Sequence, residues 1–541
     1  MIRLKITGMT CEHCALTVRK ALGSVEGVRR AKVYFPQGYA EVEGDVDVGK
    51  LIEAVQRAGY GAQELSSPEV IVGQGDSYDL VILGGGSAGF AAAIRAVDIG
   101  ADRVLIAENN VIGGTCLNRG CIPSKYFIEV ANLFHWARKP YMPGIKARGA
   151  DLSFEEVVSV KNELLEELRK EKYWNVLEAY PQIEYVEGNA RFLRKDKVSI
   201  SGREISFHRA VIATGSRPFI PPIPGIEEVG YLTSDTIFDL GELPRKLIVL
   251  GGGAIGLELG QAFLRMGSEV VILEVYKDIL PTEDQELKSL LREVLTREGM
   301  EILTGVKVLS ADREGERVRL RVERKGEELE LEGTHLLVAT GRIPNTDRLE
   351  TEIAGIELDE RGFVRVNDYL QTSNEKVYGA GDCIDRLLLV TVAALEGSIA
   401  AENALRGNRL KIDYFSVPRA VFTDPELASV GMTEEEARKR GLEVDVRILE
   451  LSKVPRAIIG FKKEGAVKMV VEKESEKVLG VHVLASHGAE IIHRAVPLVK
   501  YGLTLGDVID MVDVYPTLSE CVKLCAQSFK KDISKLSCCA Q

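Results

Sequence analysis

A glycine-rich motif occurs twice in the 541-residue chain, each time after a short apolar run and before a segment with helical spacing of apolar residues. The motif glycines are Gly84, Gly86 and Gly89 in the first copy and Gly251, Gly253 and Gly256 in the second. In a G-x-G-x-x-G motif the first glycine permits a tight turn, the second lets the backbone approach a pyrophosphate, and the third lets the helix pack against the strand. The phosphate then lies at the helix N-terminus. Two copies predict two Rossmann-like dinucleotide-binding domains in an α/β fold.

An acidic residue closes the predicted strand that follows each motif. Glu108 follows the run 104–107, and Glu274 follows the run 270–273. A carboxylate about 20 residues beyond the motif binds a ribose diol. At the second site it favours NADH over NADPH because it repels a 2′-phosphate, although Lys277 lies close enough to weaken that preference. The alternative is that Glu274 only caps its strand and points to solvent.

The rest of the composition limits the partners. Two adjoining dinucleotide sites indicate FAD beside NADH or NADPH, since hydride must pass from one ring to the other. The net charge of −12 disfavours nucleic acid and anionic membranes. The sequence has no run of about 18 consecutive apolar residues, so no membrane insertion is predicted. The start MIRLKITGMTC alternates like a strand, unlike a signal peptide, and this predicts a cytoplasmic location.

Eight of the nine cysteines occur in close pairs. The pairs are Cys11 and Cys14, Cys116 and Cys121, Cys521 and Cys525, and Cys538 and Cys539. In a cytosolic protein such pairs indicate redox chemistry or soft-metal binding rather than structural disulfides. One helical turn between Cys116 and Cys121 would bring their sulfurs together. For the single Cys383, burial as a small apolar residue is expected.

Changes of pattern divide the chain. Residues 1–65 predict a ferredoxin-like βαββαβ metal-binding domain, and the Ser-, Pro- and Gly-containing segment 66–77 predicts a linker. The remaining limits are 78–230 and 346–411 for the two parts of an FAD-binding domain, 231–345 for an NAD(P)-binding domain, 412–535 for an α+β dimerisation domain, and 536–541 for a Cys-Cys tail.

The run GGTCLNRGCIPSK at 113–125 resembles the active site of the pyridine nucleotide–disulfide oxidoreductases. The segments Ala213-Thr214-Gly215 and Gly379-Ala380-Gly381-Asp382 also match that family, and the resemblance spans about 78–535. It implies that Cys121 is the thiolate against the flavin and Cys116 the outer interchange thiol. It also implies further cofactor contacts from Lys125 with its partner Glu258, from Asp382, and from Thr115, Thr214, Gly215 and Gly341.

Within that family the chain resembles the mercuric reductases. The segment Tyr515-Pro516-Thr517 stands where disulfide reductases of the family have His-Pro-Thr, and tyrosine, with an ordinary pKa near ~10, is a poor proton shuttle at neutral pH. The tail with Cys538 and Cys539 is typical of mercuric reductases, in which it transfers Hg(II) to the inner pair of the partner subunit. The resemblance also implies site roles for Tyr173 and Glu520.

The loop Gly8-Met9-Thr10-Cys11-Glu12-His13-Cys14 resembles that of heavy-metal-associated domains. Two thiolates on a short loop suit the low coordination numbers of Hg(II) and Cu(I), whereas zinc requires four ligands. Together with this loop, the resemblance to the mercuric reductases implies a homodimeric enzyme that reduces Hg(II), supplied as a thiolate complex, to volatile Hg(0).

Two rival functions stay open at this stage. One is a dihydrolipoamide dehydrogenase-like disulfide reductase with a copper- or mercury-binding appendage, and the other is a metal carrier whose flavin domain is regulatory. Cys521 and Cys525 depart from the family pattern. Core packing is the favoured interpretation for them, and an additional thiol station for the metal is the alternative.

Overall fold

The computed structural model describes residues 2–9, 12–34, 39–44, 46–64 and 77–535. The chain forms two compact units, residues 1–71 and 72–541. The predicted site residues Cys11, Cys538 and Cys539 lie outside the described residues. Among the helices that are described, none is long and apolar enough to cross a membrane.

The N-terminal unit is an antiparallel four-stranded sheet with two helices, in the strand order β2-β3-β1-β4. Its elements are β1 Ile2–Thr7, α1 Glu12–Gly23, β2 Val28–Tyr34, β3 Tyr39–Gly44, α2 Val48–Arg57 and β4 Gly61–Glu64. Leu4 and Ile6 of β1 pack against Val18 and Leu22 of α1, with all four side chains buried. The predicted ferredoxin-like βαββαβ fold is confirmed.

The second unit begins with a parallel sheet. Its first elements are β5 Tyr78–Leu83, α3 Ser87–Asp98, β6 Val104–Glu108, α4 Gly114–Arg119, α5 Cys121–Arg138, α6 Phe154–Arg169, α7 Asn175–Ala179, β7 Ile183–Glu187, β8 Ala190–Arg194, β9 Lys197–Ile200, β10 Arg203–Ile212 and β11 Ser216–Pro218. Strands β7, β6, β5 and β10 are parallel, and β9 and β8 extend the sheet in antiparallel direction. Every residue of β5 and β6 is buried, as expected for strands covered on both faces.

A second parallel sheet follows, with the order β14-β13-β12-β18. The elements of this stretch are β12 Lys246–Leu250, α8 Ala254–Met266, β13 Glu269–Glu274, α9 Gln285–Glu298, β14 Glu301–Thr304, β15 Val306–Glu314, β16 Arg317–Arg324, β17 Glu327–Gly333, β18 His335–Val338, β19 Arg342–Pro344, β20 Val377–Gly379 and α10 Val390–Arg406. Strands β15 to β17 form an antiparallel meander, while β20 returns to pair with β10 of the first sheet. Two Rossmann-like sheets are therefore present, as predicted.

The last part of the chain is an antiparallel five-stranded sheet, ordered β21-β22-β25-β24-β23, with helices packed on it. Its elements are β21 Arg419–Val421, β22 Glu426–Gly431, α11 Glu434–Lys439, β23 Val444–Glu450, α12 Pro455–Ile459, β24 Ala466–Glu472, β25 Val478–Ala485, α13 Gly488–Lys500, α14 Leu505–Asp510 and α15 Glu520–Gln527. Cys521 and Cys525 lie on α15 and are fully buried in this core. Burial raises the pKa of both thiols, to about 12 for Cys525. The buried surroundings of both thiols fit a role in core packing rather than an additional metal-binding site.

Candidate active site

The first glycine motif forms a tight turn between β5 and α3. Gly84 has φ +122°, and a Cβ there would lie 2.1 Å from the carbonyl oxygen of Ala213. A Cβ on Gly89 would lie 1.9 Å from the oxygen of Gly84, so the helix packs against the turn only with glycine at this position. Glu108 lies at the end of β6, and its carboxylate accepts hydrogen bonds from the amides of Gly85 (2.6 Å) and Asn110 (2.8 Å). The turn, the helix N-terminus and the acid thus lie at one sheet edge.

The second motif repeats this arrangement between β12 and α8. Glu274, only 5% exposed, accepts hydrogen bonds from the amides of Gly252 (2.6 Å) and Tyr276 (2.8 Å). The carboxylate therefore faces the glycine turn and does not point to solvent. Val275 and Tyr276 beside it are exposed. An acid in this position has the geometry that a ribose diol requires.

The predicted single helical turn between Cys116 and Cys121 is wrong. Helix α4 ends at Arg119, and Gly120 breaks the helix with φ −124° and ψ −114° before α5 starts at Cys121. A Cβ on Gly120 would approach the oxygen of Thr115 to 3.0 Å, so the two helices meet closely at this residue. Cys121 consequently occupies the first position of an 18-residue helix, where free amides and the helix dipole stabilise an anion.

The two thiols are half-buried and unequal. A hydrogen bond from Cys116 lowers the pKa of Cys121 to about 7, and the charge of Lys125 acts in the same direction against the effect of burial. The same hydrogen bond, together with burial, raises the pKa of Cys116. Cys121 is therefore the member of the pair that ionises near neutral pH, while Cys116 stays protonated, and this inequality fits the roles that the resemblance implies.

Lys125 is held beside Cys121 by a carboxylate from α8, the helix that follows the second glycine motif. Its Nζ lies 2.7 Å from Oε2 of the buried Glu258 on α8, and 4.3 Å from the ring centroid of Phe422. The other carboxylate oxygen of Glu258 accepts a hydrogen bond of 2.9 Å from the amide of Phe422. Phe422, which lies between β21 and β22, belongs to none of the sequence motifs, and its contact with Lys125 joins three parts of the chain.

Tyr173 lies on a single π-helical turn, Lys170–Trp174, directly after α6. Its ring meets the ring of Phe90 edge-on at a centroid distance of 4.8 Å, and a Cβ built on Gly113 would lie 3.1 Å from the Tyr173 ring. Burial raises the pKa of Tyr173, and the charge of Cys116 raises it further. The structure therefore brings Tyr173 to the redox pair. Turns of this type occur frequently at functional sites.

The residues around Asp382 fit a flavin dinucleotide. Asp382 accepts a hydrogen bond of 2.8 Å from Ser216, which also receives one of 2.7 Å from Arg342. In the part of the chain that the structure describes, the hydroxyl of Thr214 is buried without a hydrogen-bond partner. A buried polar atom of this kind indicates a missing ligand or water. Together with the free amides at the start of α3, these groups can bind hydroxyl and phosphate groups of a dinucleotide.

The remaining predicted residues lie elsewhere in the fold. Cys14 is in the first turn of α1, in the N-terminal unit. Tyr515 lies in the loop between α14 and α15 and is 45% exposed, beside the exposed Val512 and Val514. Glu520 begins α15, and burial followed by the charge of Asp513 raises its pKa.

Three family models match the chain. "Pyridine nucleotide-disulphide oxidoreductase" matches residues 78–397, its "dimerisation domain" matches residues 417–526, and "Heavy-metal-associated domain" matches residues 3–61.

Full-length relatives carry the name mercuric reductase. That of Lysinibacillus sphaericus is 38% identical and that of Staphylococcus aureus 37% identical, each over 99% of both chains. Among solved structures, the Cu(II) complex of the HOCl-induced flavoprotein disulfide reductase RclA from Escherichia coli is 30% identical with a TM-score of 0.76, and covers 84% of this chain and 100% of its own. The chain therefore belongs to the pyridine nucleotide-disulphide oxidoreductase family and, within it, to the mercuric reductases.

Proposed function

We propose that the chain reduces Hg(II), bound as a dithiolate, to Hg(0) with electrons from NAD(P)H through FAD, and thereby detoxifies mercury. The observation that carries the proposal is the unequal pair Cys116 and Cys121 in a chain whose full-length relatives are mercuric reductases. We also propose a cytoplasmic location, since a reducing compartment keeps the paired thiols available.

The two thiols provide a linear site for a soft metal. Cys121, which is partly ionised at neutral pH, attacks the incoming Hg(II) complex as a thiolate and displaces one of its thiolates. Cys116 then loses its proton to solvent or to the departing thiolate and displaces the second one. Two electrons convert the bound Hg(II) to Hg(0), which leaves because it no longer binds thiolate strongly.

The cofactors have their own set of residues. We assign to FAD the motif glycines 84, 86 and 89 with Glu108, Thr115, Lys125, Thr214, Gly215, Gly341 and Asp382. We assign to the nicotinamide dinucleotide the motif glycines 251, 253 and 256 with Glu258 and Glu274. When bound, the flavin accepts hydride from the nicotinamide and supplies the electrons for the metal. Glu258 keeps the ammonium of Lys125 in place beside Cys121.

The proposal includes a relay of thiol pairs in a homodimer. Hg(II) passes from Cys11 and Cys14 to the tail pair 538–539 and then to the inner pair of the partner subunit. The match of residues 417–526 to a dimerisation domain supports a dimer, and the exposed apolar side chains of Val512 and Val514 give it a contact surface beside Tyr515. We propose that this domain comprises residues 412–535 and the Cys-Cys tail residues 536–541.

The test is anaerobic oxidation of NADH or NADPH with Hg(II) and excess thiol, while Hg(0) vapour is trapped. We expect one Hg(0) for each nicotinamide oxidised. Since a tethered pair raises the local concentration of the metal complex, we expect Cys538→Ala/Cys539→Ala to lower the rate about tenfold or more at limiting Hg(II). Turnover of lipoamide or glutathione disulfide without any vapour would instead establish the disulfide reductase.

Coenzyme preference gives a separate prediction. Because the carboxylate of Glu274 would face a 2′-phosphate, we expect NADH to be preferred, and Glu274→Gln to lower the NADH/NADPH ratio of kcat/KM about tenfold. Glu269→Gln, at the exposed start of the same strand, is the control. An unchanged NADH/NADPH ratio of kcat/KM in the Glu274 variant would mean that this carboxylate only stabilises the glycine turn and does not select the coenzyme.

A further inference from the structure

Asn118 lies between the two redox cysteines and uses its whole side-chain amide. Its nitrogen donates to the carbonyl oxygens of Ile112 (3.0 Å) and Gly114 (2.9 Å), so it closes the redox loop, residues 113–121, upon itself. Its oxygen accepts two hydrogen bonds from Arg169, from Nε at 3.1 Å and from Nη2 at 2.9 Å. One side chain thus joins the redox loop to a residue that is 51 positions away in the sequence.

Arg169 is the last residue of α6, and the π-helical turn Lys170–Trp174 begins directly after it. Tyr173 follows Arg169 by four positions in this turn, so both side chains project toward the redox loop from consecutive turns. The ring of Tyr173 returns to the loop at Gly113, and a Cβ there would meet the ring at 3.1 Å. This segment therefore touches the redox loop at two places, through Arg169 at the end of α6 and through Tyr173 in the π turn.

We propose that Arg169 is a positioning residue. Through Asn118 it holds the redox loop in a fixed position relative to the π turn that carries Tyr173. The packing of the Tyr173 ring against Gly113 is a second contact between this segment and the loop. Cys116 lies two residues before Asn118, and its hydrogen bond to Cys121 depends on where the loop places it. The role of Arg169 in mercury reduction rests on the proposed function, but its effect on the thiols does not.

The contact geometry distinguishes this role from a purely electrostatic one. The largest effects of neighbouring charges on the pKa of Cys121 come from Lys125, which lowers it, and Glu258, which raises it. Arg169 contributes through two N–H groups that converge on one oxygen, an arrangement that a planar guanidinium provides and an ammonium does not. The Arg169→Lys variant keeps the positive charge but loses one of the two hydrogen bonds to Asn118, so it should not hold the loop in its place.

The experiment measures the alkylation rate of Cys121 by iodoacetamide against pH in the dithiol-reduced holoenzyme, with the labelled peptide quantified by mass spectrometry. In the unchanged protein we expect a midpoint near pH 7. In Arg169→Gln and in Arg169→Lys we expect the midpoint to move toward the ordinary thiol value of about 8.5, because the hydrogen bond from Cys116 is weakened. Lys172→Gln, an exposed change on the same π turn, should leave the midpoint where it was.

A double-mutant cycle distinguishes the loss of the contact between Arg169 and Asn118 from a general loosening of the structure around the redox loop. Asn118→Ala removes the acceptor and leaves Arg169 in place, so it should give a similar shift, and Arg169→Gln/Asn118→Ala should add little to either single change. Restoration by lysine, additive shifts in the cycle, or an unchanged midpoint in both Arg169 variants would each overturn the proposal. The readout requires no mercury, so failure of Hg(II) reduction in the unchanged protein would refute the proposed function and leave this inference standing.

Discussion

Cys121→Ser is expected to abolish Hg(0) production, with turnover at least about 10³-fold lower, because a serine hydroxyl does not ionise near neutral pH and binds Hg(II) poorly. Cys116→Ser should be equally inactive with Hg(II) for a different reason. It keeps a thiolate at Cys121 but loses the second ligand, so it should bind one equivalent of Hg(II) through a single protein sulfur. The measurement is trapped Hg(0) per flavin, together with Hg(II) binding by the reduced variants.

The control for both variants is Cys525→Ala. This change removes a sulfur that is buried in the core of the five-stranded sheet and hydrogen-bonds to the backbone, including the carbonyl oxygens of Arg447 and Val467. It should lower stability and leave turnover per bound flavin unchanged. Retention of more than a few per cent of activity by Cys121→Ser would exclude the inner pair as the site of reduction.

The dinucleotide-binding parts of the fold were predictable because local pattern and tertiary role coincide there. The strands Tyr78–Leu83 and Lys246–Leu250 coincide with the short apolar runs before the two glycine motifs, since buried parallel strands are mostly apolar. The acids Glu108 and Glu274 were found by their distance from those glycines, and both lie against the turn. Spacing was sufficient because the strand, turn and helix are contiguous in sequence.

The redox loop was predicted less well. A helical spacing of cysteines cannot show that Gly120 takes up a conformation that separates two helices. The partners of the loop were also hidden, because Arg169 and Phe422 reach it from distant positions in the sequence. Asn118 belongs to the run 113–125 that identifies the family. Nothing else in the sequence indicated that it contacts Arg169.

A buried lysine outside the active site joins two parts of the second unit. Lys468 on β24 is 2% exposed, and its Nζ lies 2.8 Å from Asp284, 2.6 Å from Glu286 and 3.2 Å from Glu434. Asp284 is 3% exposed and also caps α9 through the amide of Leu287. Although burial opposes the charge, the hydrogen bonds to Asp284 and Glu286 raise the pKa of Lys468, so it stays protonated at neutral pH.

Lys468→Met is expected to lower the free energy of unfolding by about 3–5 kcal/mol, since it leaves a buried carboxylate without a counter-charge. The cost should come from Asp284, because Glu286 and Glu434 are 48% and 29% exposed and can turn to water. Urea denaturation followed by circular dichroism measures the change. The exposed Lys477→Met on the neighbouring strand connection should alter it by less than about 0.5 kcal/mol.

Asp284→Asn added to Lys468→Met should recover most of the lost stability, because asparagine keeps the helix cap and removes the unpaired charge. The double variant should therefore be more stable than Lys468→Met alone, although it carries one more substitution. If the two changes instead lowered stability additively, the loss would come from the packing of the lysine stem and not from its charge.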